Sequence, residues 1–401
     1  MLRNSLLAIL AAVTLTGAHG HHDVEEETQE PLVGWTKDDL DAKWGTDWGF
    51  SGISTFAHLE HTRCLQHPET EYDIAILGAP FDSVVTYRPG ARFGPRAIRA
   101  ASARLTAFRG FNPRANLNPY QSWAEVIDCG DIPITPFDSS LALRQMSEAF
   151  TDLAHSKAPA TNAKSAISYR NLPKLLTLGG DHSIALPTLR ALNKIHGPVA
   201  VVHFDAHLDT WHPAKYPSAW IAPEDPTQQS FFTHGTMFWL AHNESLILEG
   251  KSVHAGLRTR LSNLGDNEDD TAQGWSRIAC DDIDDLGAVG VARKIVEHVG
   301  TETPVYLNID IDVIDPGMAP GTGTPEPGGW TTRELIRVLR GIEGLNVVGA
   351  DVVEVAPAYD GSAEVTALAA AQIAFEVLTS MVKRGLVESG HGEEGRGKDE
   401  L

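Results

Sequence analysis

Cysteine is scarce in this chain, with 3 residues in 401. Cys64, Cys129 and Cys280 are too few and too scattered for a disulfide framework or a zinc cluster. The odd count leaves at least one thiol free unless it pairs between chains. Cys129, inside the apolar stretch VIDCGDI, reads as a small buried core residue. The body also lacks any run of 18 or more apolar residues, so no membrane span is expected there. Basic charge is short: 32 Lys and Arg against 53 Asp and Glu leave a net charge of −21. That balance disfavours nucleic acid and anionic lipid as partners. What is present, 42% hydrophobic composition over 401 residues, suffices to bury a full core.

The two ends carry address signals. Arg3 precedes an apolar stretch from Leu6 to Leu15 and small residues up to Gly20, the outline of a signal peptide over residues 1–20. It is too short to span a membrane and too poor in arginine for a mitochondrial presequence. The chain closes on Lys398-Asp399-Glu400-Leu401, the tetrapeptide read by the endoplasmic-reticulum retrieval receptor. Together they predict residence in the ER lumen, with secretion as the alternative. Asn243-Glu244-Ser245 adds a glycosylation sequon.

Residues 21–71 read as an irregular polar arm that wraps the core, with Trp35, Trp44 and Trp48 among Gly and Asp. From residue 72 a strand–helix rhythm sets in. Strands are expected at Tyr72 to Leu77, Ala124 to Asp128, Lys174 to Leu178, Val199 to Phe204, Ser252 to Leu257, Val305 to Ile311 and Asn346 to Val355. Helices are expected from Pro95, at Ser139 to His155, Ser183 to His196, Met237 to Glu249, Val289 to Val299, Thr331 to Arg340 and Ser362 to Arg384. Thr331 and Glu334 stand at capping-box spacing. Residues 156–171 form a Ser/Ala/Asn-rich break, 211–233 read as a loop and 262–276 as an acidic surface loop. Alternating strands and helices indicate a parallel α/β sheet covered on both faces. The expected domain spans 72–385, with a flexible tail over 386–401.

Chemistry gathers at three strand ends. The strand Val199 to Phe204, broken only by His203, runs into Asp205-Ala206-His207-Leu208-Asp209. Gly179-Gly180-Asp181-His182-Ser183 ends the strand before it, and VYLNIDIDVIDP places Asp310 and Asp312 at a third end. Asp205, His207 and Asp209 are spaced by two, as are Asp310 and Asp312, so extended chain would turn each set to one side. Buried acids of this density need a partner, and a divalent metal is the natural one. Two His and four Asp without Cys suit Mn2+ better than Zn2+. Six side chains cannot complete two separate shells, which implies bridging carboxylates. Ile283-Asp284-Asp285 and the His58/His61 pair lack such a setting and read as surface.

GGDHS, DAHLD and NIDIDVIDP, in that order, resemble the metal signatures of the ureohydrolases, the family of arginase and agmatinase. GAPFD…RPGARFGPRAIR, THGTMF, GLRT, GTGTPEPGG and GADVVEVAP resemble the agmatinases among them. The resemblance implies a three-layer α/β/α sandwich with a mainly parallel eight-stranded sheet, assembled as a trimer or hexamer. It implies two Mn2+ per chain, one on His182, Asp205, Asp209 and Asp310, the other on Asp205, His207, Asp310 and Asp312. It further implies a hydroxide hydrogen-bonded to Asp209, Glu354 holding a guanidinium, and His234 passing a proton to the leaving amine. Two Mn2+, four aspartates and a hydroxide sum to about −1, which favours a small cationic guanidino substrate. Leu208 stands where the family often has Thr, Asn308 where a small polar residue is common, and neither is expected to touch a ligand. The Gly/Pro segments 78–99 and 320–329 read as loop architecture.

The function expected is manganese-dependent hydrolysis of a guanidino compound to urea and an amine, with agmatine giving putrescine. Guanidinobutyrase, another guanidino-acid ureohydrolase, arginase and a catalytically silent metal-binding homologue are the competing readings. The stretch Thr210-Trp211-His212-Pro213 lacks the Asn and Ser with which arginases hold an α-carboxylate, while His212 or Lys215 could meet one. For the address, deleting Lys398 to Leu401 should move the protein from the ER to the medium. Equal secretion of the full-length and truncated chains would show that the tail is not read.

Overall fold

Eight apolar segments set the architecture. The computed structural model describes residues 36–45, 48–158, 172–215 and 231–388. The leader, most of the 156–171 break, the middle of the 211–233 loop and the C-terminal tail lie outside the described residues. The strands are β1 (Ile74–Ala79), β2 (Val126–Asp131), β3 (Lys174–Gly179), β4 (Ala200–Phe204), β5 (Ser252–Leu257), β6 (Trp275–Ala279), β7 (Pro304–Asp310) and β8 (Asn346–Val353). They pair in the order β2-β1-β3-β8-β7-β4-β5-β6, parallel throughout.

A parallel sheet must be covered on both faces, because crossover helices lie there. Strand alternation sorts the side chains accordingly: Ile74 and Ile76 enter one apolar cluster, Ala75 and Leu77 the other. The first cluster is closed by α2 (Gly94–Ser102), α7 (Asp282–Val299), α8 (Thr332–Gly341) and α9 (Val365–Glu388). The second is closed by α3 (Ser139–Ala154), α4 (Ala185–His196) and α5 (Met237–Asn243). This is the expected three-layer α/β/α fold. Within α9, Val365–Leu386 is long and apolar enough to cross a membrane, with mean hydropathy 1.6, yet 78% of it is buried in the protein. Its apolar character answers to the sheet and to α2 and α8.

Several expectations need correction. The chain divides into two units, Met1–Thr46 and Asp47–Leu401, and the first carries a helix, α1 (Lys37–Trp44), where an irregular arm was expected. Residues 262–276 are not a surface loop: they contain α6 (Gly265–Ala272) and the start of β6. The acidic run misleads because Asp266 and Asp270, one helical turn apart, face inward and are 2% and 0% exposed. Asp266 holds Lys215 Nζ at 2.8 Å, and Asp270 holds His254 and Arg277. The helix after Thr236 stops at Asn243, well short of Glu249.

Cys129 is buried but is not a lone core thiol: it is bonded to Cys64, leaving Cys280 free and buried. The pair lies 65 residues apart in sequence. Closing a loop of that length stabilises the fold by about 4 kcal/mol on chain entropy. It ties the segment before β1 to the edge strand β2, where Asp128 also accepts from the Phe56 amide.

The capping box at α8 is present: Thr331 Oγ1 accepts from the Glu334 amide, and Glu334 Oε2 accepts from the Thr331 amide at 2.8 Å. Thr331→Ala should therefore lower unfolding stability by about 1 kcal/mol. A urea midpoint that does not move would show the cap to be without effect.

Candidate functional site

The four central strands β3, β8, β7 and β4 end side by side, and their carboxyl ends carry the predicted residues. Three of these ends make the same tight turn. An aspartate at the strand end folds back to accept the amide two residues on: Asp181 from Ser183 at 3.0 Å, Asp205 from His207 at 2.6 Å, Asp310 from Asp312 at 2.8 Å. Such Asx turns end a strand sharply and occupy only one of the two carboxylate oxygens. Convergence thus comes from turns, and not from alternation along extended chain. β4 stops at Phe204, and Asp312 lies in a single 3₁₀ turn, Ile311–Val313. Asp209 and Glu354 hold φ of 53° and 62°, a left-handed conformation costing a non-glycine residue about 1–2 kcal/mol. Gly180 is fixed by space, since an added Cβ would lie 2.4 Å from the carbonyl oxygens of Ala79 and Phe81.

These turns bring all six predicted ligands together. His182 Nδ1 lies 3.1 Å from Asp205 Oδ2, 3.0 Å from Asp209 Oδ2 and 3.3 Å from Asp310 Oδ2, yet hydrogen-bonds to none of them. His207 Nδ1 lies 3.1 Å from both Asp205 Oδ1 and Asp312 Oδ2. Two compact groups of donor atoms result, His182, His203, Asp205 and Asp209 in one and Asp205, His207 and Asp312 in the other, sharing Asp205, with Asp310 reaching the first through His182. Burial, then repulsion from neighbouring carboxylates, pushes Asp310 well above the usual range and Asp312 to about 6. Burial works the same way on Asp205, but the His203 ring beside it, with His182 and His207, holds it well below. An orphaned imidazole lone pair surrounded by three carboxylate oxygens is the arrangement a divalent cation satisfies. The residues fit a metal, and the hard oxygen-rich set is of the kind Mn2+ takes.

Side chains behind the ligands fix their state. Asn308 Nδ2 donates to Asp351 Oδ1 at 2.8 Å, so its carbonyl faces His182 Nε2 at 2.7 Å. Nε2 of His182 must then carry the hydrogen, leaving Nδ1 for the centre. The expectation that Asn308 touches no ligand is therefore wrong; the cross-strand neighbour of His203 could not be identified without the register. His203, which donates from Nε2 to Asp205 Oδ2 at 2.9 Å, was also missed. Its one sequence signal is being the lone polar residue in an apolar strand. Arg258 of the GLRT segment donates to the carbonyls of Asp312 and Glu326 at 2.6 and 2.7 Å, pinning the 320–329 loop against the site. Glu326 lies 3.8 Å from His207 Nε2.

Glu354 and His234 meet above the ligands. Glu354 is 1% exposed. Its Oε1 accepts from the His182 amide at 2.8 Å and faces His234 Nδ1 at 3.0 Å, while Oε2 has no partner. His234 is buried, at 7% exposure. Burial opposes its charged form, but Glu354 outweighs this and draws its pKa up to about 9. Thr86 meets Nε2 of the ring twice, with its amide at 2.9 Å and its hydroxyl at 2.7 Å. Thr86, His207, Asp209, Trp211, His234, Asp310 and Thr324 line a narrow cavity of about 180 Å³. Two larger hollows, of 630 and 570 Å³, hold neither ligand group. Ile283-Asp284-Asp285 begins α7, and His58 and His61 bond backbone carbonyls; none of them joins the site.

The Arginase family profile matches residues 72–379. A Schizosaccharomyces pombe protein, Putative agmatinase 1, is 44% identical over 388 residues, covering 96% of each chain. Agmatinase of Enterobacter sp. is 38% identical over 81% of this chain and 92% of its own. Among solved structures, proclavaminate amidino hydrolase from Streptomyces clavuligerus superposes with a TM-score of 0.71. It is 34% identical and covers 84% of this chain and 100% of its own.

The Asn308 contact makes a direct forecast. Asn308→Leu removes the group that sets the His182 tautomer, and loss of such a support lowers metal affinity by about 10–100-fold. Chelator competition on the folded variant measures this; an unchanged affinity would remove Asn308 from the account.

Proposed function

The chain belongs to the arginase family and is an amidinohydrolase, and we propose that it cleaves agmatine to urea and putrescine with two Mn2+ per chain. The observation that carries the substrate reading is the charge of the cavity. Among the described residues its lining includes Asp209 and Asp310 but no Lys or Arg, with Glu354 packed behind. An arginine or guanidino-acid carboxylate would find no Lys or Arg there among the described residues. The two candidates for receiving one are occupied: Lys215 bonds Asp266 at 2.8 Å, and His212 Nδ1 accepts from the Ala214 amide at 2.9 Å. Thr210 Oγ1 is turned away, donating to Asp270 at 2.8 Å.

His182, Asp205, Asp209 and Asp310 would hold one ion, and Asp205, His207, Asp310 and Asp312 the second. Ions so held polarise water toward hydroxide near neutral pH. The chain's own groups then divide the work. Glu354 Oε2, without a partner, takes the guanidinium N–H groups in a charge-assisted bond. Asp209 accepts a hydrogen from the attacking water and orients it. The water oxygen bonds to the guanidinium carbon, the carbon–nitrogen bond to the chain amine breaks, and that nitrogen needs a proton. His234 supplies it from Nε2. Thr86 touches the ring in two ways: its amide donates to the Nε2 lone pair of the neutral ring, and its hydroxyl accepts from Nε2 once that nitrogen is protonated and the amide contact is released.

The ER lumen remains the proposed location. The leader and the final tetrapeptide support it, and so does the Cys64–Cys129 bond, since disulfides persist in oxidising compartments. The proposed assembly, a homo-oligomer of three or six chains, rests on the family resemblance alone.

Urea release from the manganese-loaded protein, with agmatine, arginine and 4-guanidinobutyrate side by side, tests the substrate. A carboxylate that loses two charge-assisted bonds gives agmatine an advantage of about 10²–10⁴ in kcat/KM. Comparable turnover of arginine, or guanidinobutyrate outpacing agmatine, would overturn the substrate. Glu354→Gln should abolish turnover while retaining both ions by elemental analysis. One ion per wild-type chain would sink the binuclear centre.

A further inference from the structure

A line of polar side chains crosses the sheet beneath the site. Asp351 on β8, Asn308 on β7, His203 on β4, His254 on β5 and Arg277 on β6 are neighbours in register, one on each of five adjacent strands. Their strand neighbours Val202, Phe204, Val253, Ala255, Leu307 and Ile309 point into the opposite apolar cluster. Buried polar groups in such a setting must satisfy one another.

From β4 outward they do so as a chain. Arg277 Nη1 donates to Asp270 Oδ2 at 2.5 Å. Asp270 Oδ1 accepts from His254 Nε2 at 3.0 Å. His254 and His203 face each other through their Nδ1 atoms at 2.6 Å. His203 Nε2 reaches Asp205 Oδ2 at 2.9 Å. Each ring thus faces a carboxylate through Nε2 and the other ring through Nδ1. Neither ring can turn: Trp275 stacks on His254 at 4.0 Å, and Phe238 sets its edge against His203 at 4.9 Å. Both histidines are 0% exposed.

The outcome at Asp205 is an assignment of its two oxygens. Oδ1 is held on the His207 side, by that residue's amide at 2.6 Å. Oδ2 is held on the His182 side, by His203. We propose that His203 is a positioning residue that presents Asp205 as a bridge between the two halves of the centre, braced through His254 and Asp270 by Arg277 at the edge strand. The inference rests on the metal reading above.

Asp270→Asn and Arg277→Met test it, since neither residue touches a ligand. Metal affinity of the folded protein is read by chelator competition, together with the electron paramagnetic resonance of bound Mn2+ and the Tm of the metal-free form. Loosening the brace should weaken binding about 10–100-fold and replace the spectrum of a coupled pair with that of separate ions. Arg277→Lys, which keeps a donor, should restore both. Arg277 is partly exposed, so its variants serve should Asp270→Asn not fold. A lower Tm of the metal-free form with wild-type affinity and spectrum would show a merely structural role and overturn the proposal. A wild-type protein that binds no divalent ion would instead bring down the metal reading itself.

Discussion

Four aspartates and two histidines buried at adjoining strand ends are the constraint on which the rest of this molecule turns. Carboxylates at such distances cannot all ionise in a low-dielectric interior without compensation. Much of the surrounding structure supplies compensation in advance: amides at each Asx turn, an asparagine fixing one histidine, a second histidine fixing the shared carboxylate. The strained backbone at Asp209 and Glu354 is tolerated at the same place, where packed loops overdetermine it.

Much of the centre was legible in the sequence because its residue types are distinctive and their positions follow strand ends. DAHLD and DID are conspicuous where an apolar run stops. What stayed hidden depends on pairing between strands. His203 and Asn308 lie 105 residues apart in sequence, 308 minus 203, and become neighbours only when β4 is set beside β7. Asp266 and Asp270 were concealed for a related reason. An acidic run suggests a solvated surface unless one knows that a lysine, a histidine and an arginine wait inside for it. The Cys64–Cys129 bond is a third case, where spacing of 65 residues carries no signal of proximity.

The division of roles at the cavity follows from burial. Glu354 spends one oxygen on internal partners and keeps the other free, so it offers a directed acceptor in place of diffuse negative charge. His234 is held between that carboxylate and Thr86, which limits the directions in which its proton can leave.

The polar line across β8, β7, β4, β5 and β6 also acts as a vernier for assembling the sheet. In a parallel sheet apolar on both faces, a one-residue slip still buries apolar side chains, so apolar alternation alone does less to fix register there. A slip of one residue between β4 and β7 would set His203 against Leu307 or Ile309 in place of Asn308. Each donor or acceptor stranded in that way costs about 1–3 kcal/mol. The side chains that hold the metal ligands in place thus also mark, during folding, the one alignment in which those ligands can meet.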